Sequence, residues 1–166
     1  MDNSSFSVPY DYASSKANFS WHEILFALNH ELLSSYSAVE HAMEELRSVD
    51  DYSDALVELA SLNEGEPVRE YVESLASLEK DTTTDSEPKW LYVLLSWVYE
   101  NRSDYDDALQ VIEQIYADFD YPQSIESFVR YMPSDEPSLG SVEKDSERLY
   151  EKWNSYLISQ SEVYKA

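Results

Sequence analysis

Apolar residues recur along most of the 166-residue chain at a spacing of about 3.6 residues, the period of an α-helix. No stretch shows sustained alternation of apolar and polar residues between hairpin turns, the pattern of a half-buried strand. Glycine occurs twice, at Gly65 and Gly140, and the six prolines stand at boundaries between apolar stripes. The pattern predicts an all-α protein, built as a compact bundle or a short solenoid-like array of seven to eight helices.

Helix starts can be read from capping residues and prolines. Ser20 and Glu23 have the spacing of a capping box, and the same spacing recurs at Ser37 and Glu40. Proline suits the first turn of a helix, where its missing N–H costs no hydrogen bond. We therefore expect helices to begin near the following residues: Ser20, Ser37, Tyr52, Pro67, Pro88, Ser103, Pro122 and Ser141.

The chain has the length of one domain with a buried core. Residues 1–19 are expected to form an extended N-terminal segment, and residues 80–87 a polar connector between two halves. The helix after Pro88 is apolar on almost all sides, which is typical of a central helix. Its apolar run, 90–99, is shorter than the roughly 20 residues that a membrane span needs. The sequence therefore predicts one all-α domain over 1–166 that does not insert into a membrane.

Two nearly identical hexapeptides, DYSDAL at 51–56 and DYDDAL at 104–109, lie at the start of two predicted helices. Each of these helices precedes a helix that is expected to begin at a proline. The arrangement indicates two loosely similar units, 37–79 and 88–132, although two copies do not establish a repeat family. The second copy also resembles the middle of a tetratricopeptide repeat, a pattern on which many antiparallel helix pairs converge.

The net charge is −23, from 34 acidic and 11 basic residues. A field of this sign repels nucleic acid and anionic membranes, and it attracts basic partners. The basic residues are also too few to form a nucleic-acid surface. We therefore expect a basic protein as the partner, with solubility as the alternative explanation of the charge.

The residues indicate no catalytic or cofactor chemistry. The chain has no cysteine, which excludes disulfides and thiolate catalysis and fits a cytoplasmic protein. His22 and His30 are two helical turns apart, too far to share one metal ion without further ligands. No pair of glycines could form a phosphate-binding loop, and no Gly-x-Ser-x-Gly elbow is present. The first 15 residues lack the pattern of a secretory signal. We expect no enzymatic activity, metal or cofactor, and a cytoplasmic location.

Acidic residues near predicted helix ends are the candidates for binding a partner. Acids at a helix start also stabilise the helix dipole by about 0.3–1 kcal/mol each, which is the structural alternative. Tyrosine beside acids is common on protein-binding surfaces. The candidate partner-binding residues are Asp104, Asp106, Asp107, Asp118, Asp120, Tyr121, Asp135 and Glu136.

Three C-terminal stretches resemble an uncharacterised family of small bacterial proteins, a domain of unknown function. They are KWLYVLLSWVYENRSDY (89–105), EQIYADFDYPQSIESFVRYMPSDEPSLGS (113–141) and RLYEKW (148–153). The run from Tyr116 to Leu139 is the most specific part. Such families occur among the predicted immunity proteins of bacterial polymorphic-toxin systems. The resemblance therefore implies a basic cognate toxin as the partner.

These observations predict a non-enzymatic acidic protein that neutralises a basic toxin by direct binding. Many such toxins are nucleases, and an acidic protein would be steered to a basic substrate cleft. One alternative is a tetratricopeptide-like adaptor that binds a peptide in a concave groove. Its binding would be less sensitive to high salt. Another is an inhibitor that mimics nucleic acid and competes with DNA for an enzyme.

Overall fold

The computed structural model describes residues 7–50, 52–79, 85–132 and 136–164. Within these ranges the chain forms helices and no strand, which confirms the all-α prediction. Two short 3₁₀ helices, Arg102–Asp104 and Gln123–Phe128, accompany the α-helices. The eight α-helices are α1 Tyr10–Lys16, α2 Trp21–Asn29, α3 Ser35–Ser48, α4 Asp54–Ala60, α5 Arg69–Ser77, α6 Glu87–Glu100, α7 Ala108–Asp118 and α8 Val142–Val163.

The chain divides into two compact units between Trp90 and Leu91. In the N-terminal unit α3 packs against α1 and α4, and α5 packs against α2 and α4. Apolar side chains on the inner faces of these helices exclude water, which is the main stabilising contribution to such a unit. Its largest fully buried side chains are Trp90, Ile24, Leu59, Val8 and Val39.

Two carboxylates satisfy the free N–H groups at the start of α2. The predicted capping box is present, because the Glu23 N–H donates to Ser20 Oγ (3.2 Å) and the Ser20 N–H donates to the Glu23 carboxylate (2.8 Å). Glu79, just after α5, accepts the N–H groups of Trp21 (2.7 Å) and His22 (3.0 Å). Negative charge at a helix N-terminus is favourable. The end of α5 is thereby attached to the start of α2.

A buried ion pair joins α2 to the first turn of α6. Glu23 is 4% exposed, and its carboxylate lies 2.9 Å from Nζ of Lys89. The same ammonium group donates to the Asn18 carbonyl (2.8 Å), and the Trp90 indole N–H donates to the Glu23 carbonyl (2.9 Å). A buried carboxylate is tolerated only when its charge and its hydrogen bonds are satisfied. These contacts supply both.

Helix α1 is fastened to α3 through a buried histidine. A hydrogen bond of 2.7 Å joins the Tyr10 hydroxyl to Nδ1 of His41, and the Trp21 ring packs edge-on against the imidazole at 4.7 Å. Burial lowers the pKa of His41 to about 4, well below its ordinary value of 6.5. The imidazole is therefore neutral in the folded protein at physiological pH.

The C-terminal unit is centred on Trp153 of α8, which is fully buried. The rings of Tyr99, Tyr150 and Phe128 surround it, with centroids at 4.9, 5.7 and 6.3 Å. Helix α8 packs along the second 3₁₀ helix. The other large side chains that are fully buried in this unit are Phe128, Leu94, Leu95, Ile112, Ile115 and Ile125.

The structure corrects two predictions about the N-terminal half. Residues 1–19 are not extended throughout, because α1 occupies Tyr10–Lys16 and buries Tyr10 and Ala13. Helix α3 begins at Ser35 rather than Ser37, since Ser34 takes the N-cap position and the Ser37 hydroxyl lies 3.1 Å from Ser34 Oγ. Ser34 makes no side-chain hydrogen bond to the helix end, and the predicted capping box of Ser37 and Glu40 lies inside α3.

The structure also revises the paired units and the connector. The segment after Pro122 is a 3₁₀ helix rather than an α-helix, so the second predicted unit has no α-helix that corresponds to α5. Within the predicted connector 80–87, Glu87 already belongs to α6, and residues 80–84 lie outside the described residues. The prediction of one domain over 1–166 stays a prediction.

We predict that Glu23→Gln lowers the free energy of unfolding by about 3 kcal/mol, because it leaves the largely buried Lys89 ammonium without its counter-charge. Urea denaturation measures this. The matched control is Glu44→Gln, which removes an acid from the exposed pair with Arg47 and should change the free energy of unfolding by less than about 1 kcal/mol. Equal effects of the two substitutions would contradict the assigned role of the buried pair.

We predict that His41 makes stability fall as the pH drops from about 6.5 to about 4. The unfolded chain binds a proton at His41 in this range and the folded chain does not, so the contribution is complete above pH 6.5. Its full size is about 3 kcal/mol. The comparison is with His41→Gln, which keeps a hydrogen-bonding group for Tyr10 but cannot titrate. Identical pH profiles of unfolding for the two proteins would contradict the prediction.

Candidate partner-binding surface

Of the three acids of the second hexapeptide, Asp107 alone takes a capping position at a helix start. Asp104 ends a 3₁₀ turn and Asp106 precedes α7, and both are exposed. Asp107 occupies the N-cap position but makes no side-chain bond to the helix end; its carboxylate lies 3.0 Å from Nη1 of Arg130. In the first copy, by contrast, Ser53 Oγ accepts the Leu56 N–H at 3.3 Å. The two hexapeptides therefore begin their helices at different positions.

The end of α7 places Asp120 and Tyr121 in the left-handed backbone region, with φ of 61° and 58°. The Tyr121 N–H donates to the Tyr116 carbonyl (2.8 Å) and the Asp120 N–H to the Ala117 carbonyl (3.1 Å). This is a Schellman motif, in which glycine usually takes the position of Asp120. Asp118, just before it, is exposed, and partial burial raises the pKa of its carboxyl group.

Of the remaining two candidates, Glu136 lines a groove of the C-terminal unit. Glu136 forms an ion pair with Lys152, and this hydrogen bond lowers the pKa of Glu136. Asp135 lies outside the described residues. The groove, of about 760 Å³, runs between the second 3₁₀ helix and α8 and is lined by Glu126, Ser127, Val129, Arg130, Met132, Glu136, Ser138, Val142, Asp145, Ser146, Arg148, Leu149 and Lys152.

Three arginines of this unit contact groups of the protein itself. Arg130 lies 3.0 Å from Asp107 and 3.2 Å from Glu113, and these hydrogen bonds raise its pKa. Arg148 donates to the Pro137 carbonyl at 3.0 Å. Arg102 donates to the Tyr99 carbonyl at 2.6 Å and stacks over the Tyr99 ring at 4.2 Å.

Basic side chains of the N-terminal unit also contact groups of the protein itself. Besides the buried Lys89, Arg47 pairs with Glu44, Arg69 donates to the Asn29 amide oxygen, and Lys16 lies over the Tyr12 ring. Apart from Lys144, every basic side chain in the described ranges contacts a carboxylate, carbonyl, amide or ring of its own chain. In the described ranges, acidic side chains therefore far outnumber the basic side chains that could pair with them.

A cluster of carboxylates in the N-terminal unit was not among the predicted site residues. Burial, together with repulsion from Asp11 and Glu64, raises the pKa of Glu40. Burial and the nearby Glu44 and Glu40 likewise raise the pKa of Tyr10. The acids belong to α1, α3 and the segment between α4 and α5, so their proximity depends on the fold and no local signal reveals it.

An aromatic cluster in the C-terminal unit combines one predicted site residue, Tyr121, with two that were missed, Tyr116 and Tyr131. Tyr116 is buried, and the rings of Tyr121 and Tyr131 pack against it with centroids at 5.3 and 6.2 Å. Tyr121 and Tyr131 are 57% and 56% exposed. The exposure of Tyr131 is large for a side chain with that much apolar surface. The spacing of residues in the sequence does not predict this exposure.

Two further features were sought in the part of the chain described, a candidate metal site and a candidate membrane-spanning helix. No group of three or more His, Asp or Glu residues among residues 7–50, 52–79, 85–132 and 136–164 is arranged to hold a metal ion. Over the same ranges no helix combines the length and apolar character needed to cross a bilayer.

A family comparison covers most of the chain. The model of the family DUF2247, described as an uncharacterized protein conserved in bacteria, matches residues 10–161. The chain belongs to this family. Membership in DUF2247 confirms the predicted resemblance to a bacterial family of unknown function and extends it over the N-terminal half. No curated protein and no solved structure matches this DUF2247 chain.

We predict that Asp120→Gly raises the free energy of unfolding by about 0.5–1 kcal/mol, because glycine adopts the left-handed conformation without the steric cost of a side chain. Chemical denaturation measures the gain. Asp120→Asn is the matched control, since it removes the same charge but keeps the side chain. If both variants gain equally, charge repulsion rather than backbone strain is responsible.

Proposed function

We propose that this DUF2247 protein is a non-enzymatic binding protein that neutralises a basic partner, most simply a cognate toxin, in the cytoplasm. The proposal depends on one observation. The basic side chains of the described residues almost all contact groups of the protein itself, while the chain carries a net charge of −23. A cationic surface on another protein would supply the missing counter-charge.

Charge of this kind favours fast and selective association. A strongly negative surface steers a basic protein toward it and repels nucleic acid that would compete. The effect reaches about 10 Å at an ionic strength of about 0.1 M and shrinks at higher salt. A toxin with a basic substrate cleft would therefore be bound where its own substrate binds.

The acids are denser in the first part of the chain. Residues 1–90 hold 19 of the 34 acidic residues and 5 of the 11 basic residues. Glu40 shows the consequence, because repulsion from Asp11 and Glu64 contributes to the raised pKa of its carboxyl group. A lysine or arginine placed among these three carboxylates would relieve that repulsion. This gain favours the complex with a basic protein over the free state.

The direct test is co-purification with the product of the adjacent gene, followed by a toxicity assay of that product with and without this protein. We expect binding that weakens at least tenfold between about 0.05 M and about 0.5 M NaCl, since screening removes the steering field. Competition by DNA for the same partner would point to a nucleic-acid-mimicking inhibitor. Salt-independent binding, or no neutralisation, would overturn the proposal.

A charge variant tests how much the three carboxylates of Asp11, Glu40 and Glu64 contribute to partner binding. Replacing Asp11, Glu40 and Glu64 together by Asn, Gln and Gln should weaken binding more than the same replacement of three exposed acids outside the cluster. The control set is Glu58, Glu70 and Glu73. Both variants lose three charges, so a difference between them reports position rather than total charge.

A further inference from the structure

Tyr116, Tyr121 and Tyr131 form an ordered aromatic surface at the end of α7, here called the tyrosine cluster. Tyr116 is 3% exposed, and its hydroxyl lies 3.7 Å from the sulfur of Met132. The two outer rings meet the Tyr116 ring at interplanar angles of 82° and 60°. Edge-to-face packing of this kind fixes the orientation of the outer rings. More than half of each outer side chain nevertheless faces solvent.

The backbone of the tyrosine cluster is held in a costly conformation. Asp120 and Tyr121 are consecutive non-glycine residues with positive φ, and the left-handed region is especially unfavourable for a bulky side chain. The conformation directs the Tyr121 ring back onto Tyr116, three residues inside the helix end. The Schellman hydrogen bonds and the contact with Tyr116 hold the Tyr121 ring in this position.

The surroundings of the tyrosine cluster are negative. Glu126 is close enough to contribute, after burial, to the raised pKa of Tyr116, and Asp118 and Asp120 lie in the same turn of chain. Among the cation–ring contacts of the described residues, none involves Tyr121 or Tyr131, whereas Tyr99 already holds Arg102 at 4.2 Å. The outer rings thus combine exposed π-faces with nearby carboxylates and no cation over them.

We propose that the tyrosine cluster is a recognition site for an arginine or lysine side chain on an exposed segment of a basic partner protein. The assignment rests on the proposed function and specifies one surface through which it acts. A guanidinium or ammonium group within about 6 Å of a tyrosine face is attracted by the ring quadrupole. Glu126 provides the opposite charge, and Tyr is among the residue types that dominate binding energy at interfaces.

The adjoining groove accommodates the rest of such a segment. Glu126 and Met132, which adjoin the tyrosine cluster, also line the groove, and its apolar lining continues through Val129 and Leu149 to the exposed Val142. The three cations of the groove are each neutralised by an acid of this chain, so the groove does not repel a basic segment. A segment with one basic side chain followed by apolar ones matches this surface.

The site is tested with ¹⁹F NMR on the full chain carrying 3-fluorotyrosine, titrated with N-acetyl-diarginine amide. Tyr52 is the internal control, because it is 54% exposed near Asp50 and Asp54 but has no ring contact with another described residue. We expect the signals of Tyr121 and Tyr131 to half-saturate at a peptide concentration about tenfold lower than that of Tyr52. Signals that shift together with Tyr52, or do not shift, would overturn the site.

Substitutions separate the ring chemistry from simple packing. Replacing Tyr121 and Tyr131 by Leu keeps an apolar contact with Tyr116 but removes the π-face, and should weaken diarginine binding about tenfold. Replacing both by Phe should retain most of the affinity. Leu and Phe variants with equal affinity would refute recognition by the rings.

The same variants distinguish this inference from the proposed function. With the product of the adjacent gene as ligand, the double Leu variant should bind about tenfold more weakly than the wild type, and Tyr52→Leu less than about twofold. If that basic protein binds wild type and double variant equally, the site is wrong and the function stands. If diarginine saturates the tyrosine cluster but no basic protein is bound or neutralised, the site stands and the function is wrong.

Discussion

The ion pair between Lys89 and Glu23 organises the N-terminal unit. It brings the Lys89 ammonium group and the Glu23 carboxylate together at the start of α2 and α6, and the Asn18 carbonyl accepts a further hydrogen bond from the ammonium group. Without Lys89, the helix start would hold the buried Glu23 carboxylate uncompensated, with the Glu79 carboxylate beside it. The unit therefore depends on one of the few cations that the chain possesses, and the same logic recurs at Arg130 and Lys152 in the C-terminal unit.

Because the basic side chains pair with groups of their own chain, the contacts that stabilise the fold also determine the charge of the surface. A chain with 34 acids and 11 bases could have scattered its cations to reduce repulsion outside. Instead they fasten helices and loops, as Arg130 does between α7 and the segment after the second 3₁₀ helix. Most of these ion pairs lie at the surface, where each cation is already in contact with an acid of the same chain. The proposed binding of a basic protein follows from where the cations are, more than from the net charge alone.

The sequence predicts features that depend on neighbouring residues. The capping box of Ser20 and Glu23 is local, and so is the capping of α8 by Ser141, whose hydroxyl accepts the Lys144 N–H. Features that are set by tertiary packing cannot be predicted from the sequence in this way. Whether Ser34 or Ser37 caps α3, and whether Asp107 binds its helix or Arg130, depends on distant residues. Likewise Tyr121 could be proposed from its acidic neighbours, whereas Tyr131 becomes visible only when the fold brings both rings onto Tyr116.

The internal contacts of the ammonium groups decide how an interface on this protein can be mapped. Amine-directed cross-linking reagents need an unprotonated, accessible lysine, and the nitrogens of Lys89 and Lys152 are held against carboxylates. Exposed carboxyl groups, in contrast, are distributed over both units. Carbodiimide chemistry couples a carboxyl group to a lysine. It therefore suits a complex in which this protein presents carboxyl groups and a basic neighbour presents lysines. Because this protein offers few reactive amines, a carbodiimide cross-link would mainly join one of its carboxyl groups to a lysine of the partner. The cross-linked lysines would therefore identify the basic surface of the partner.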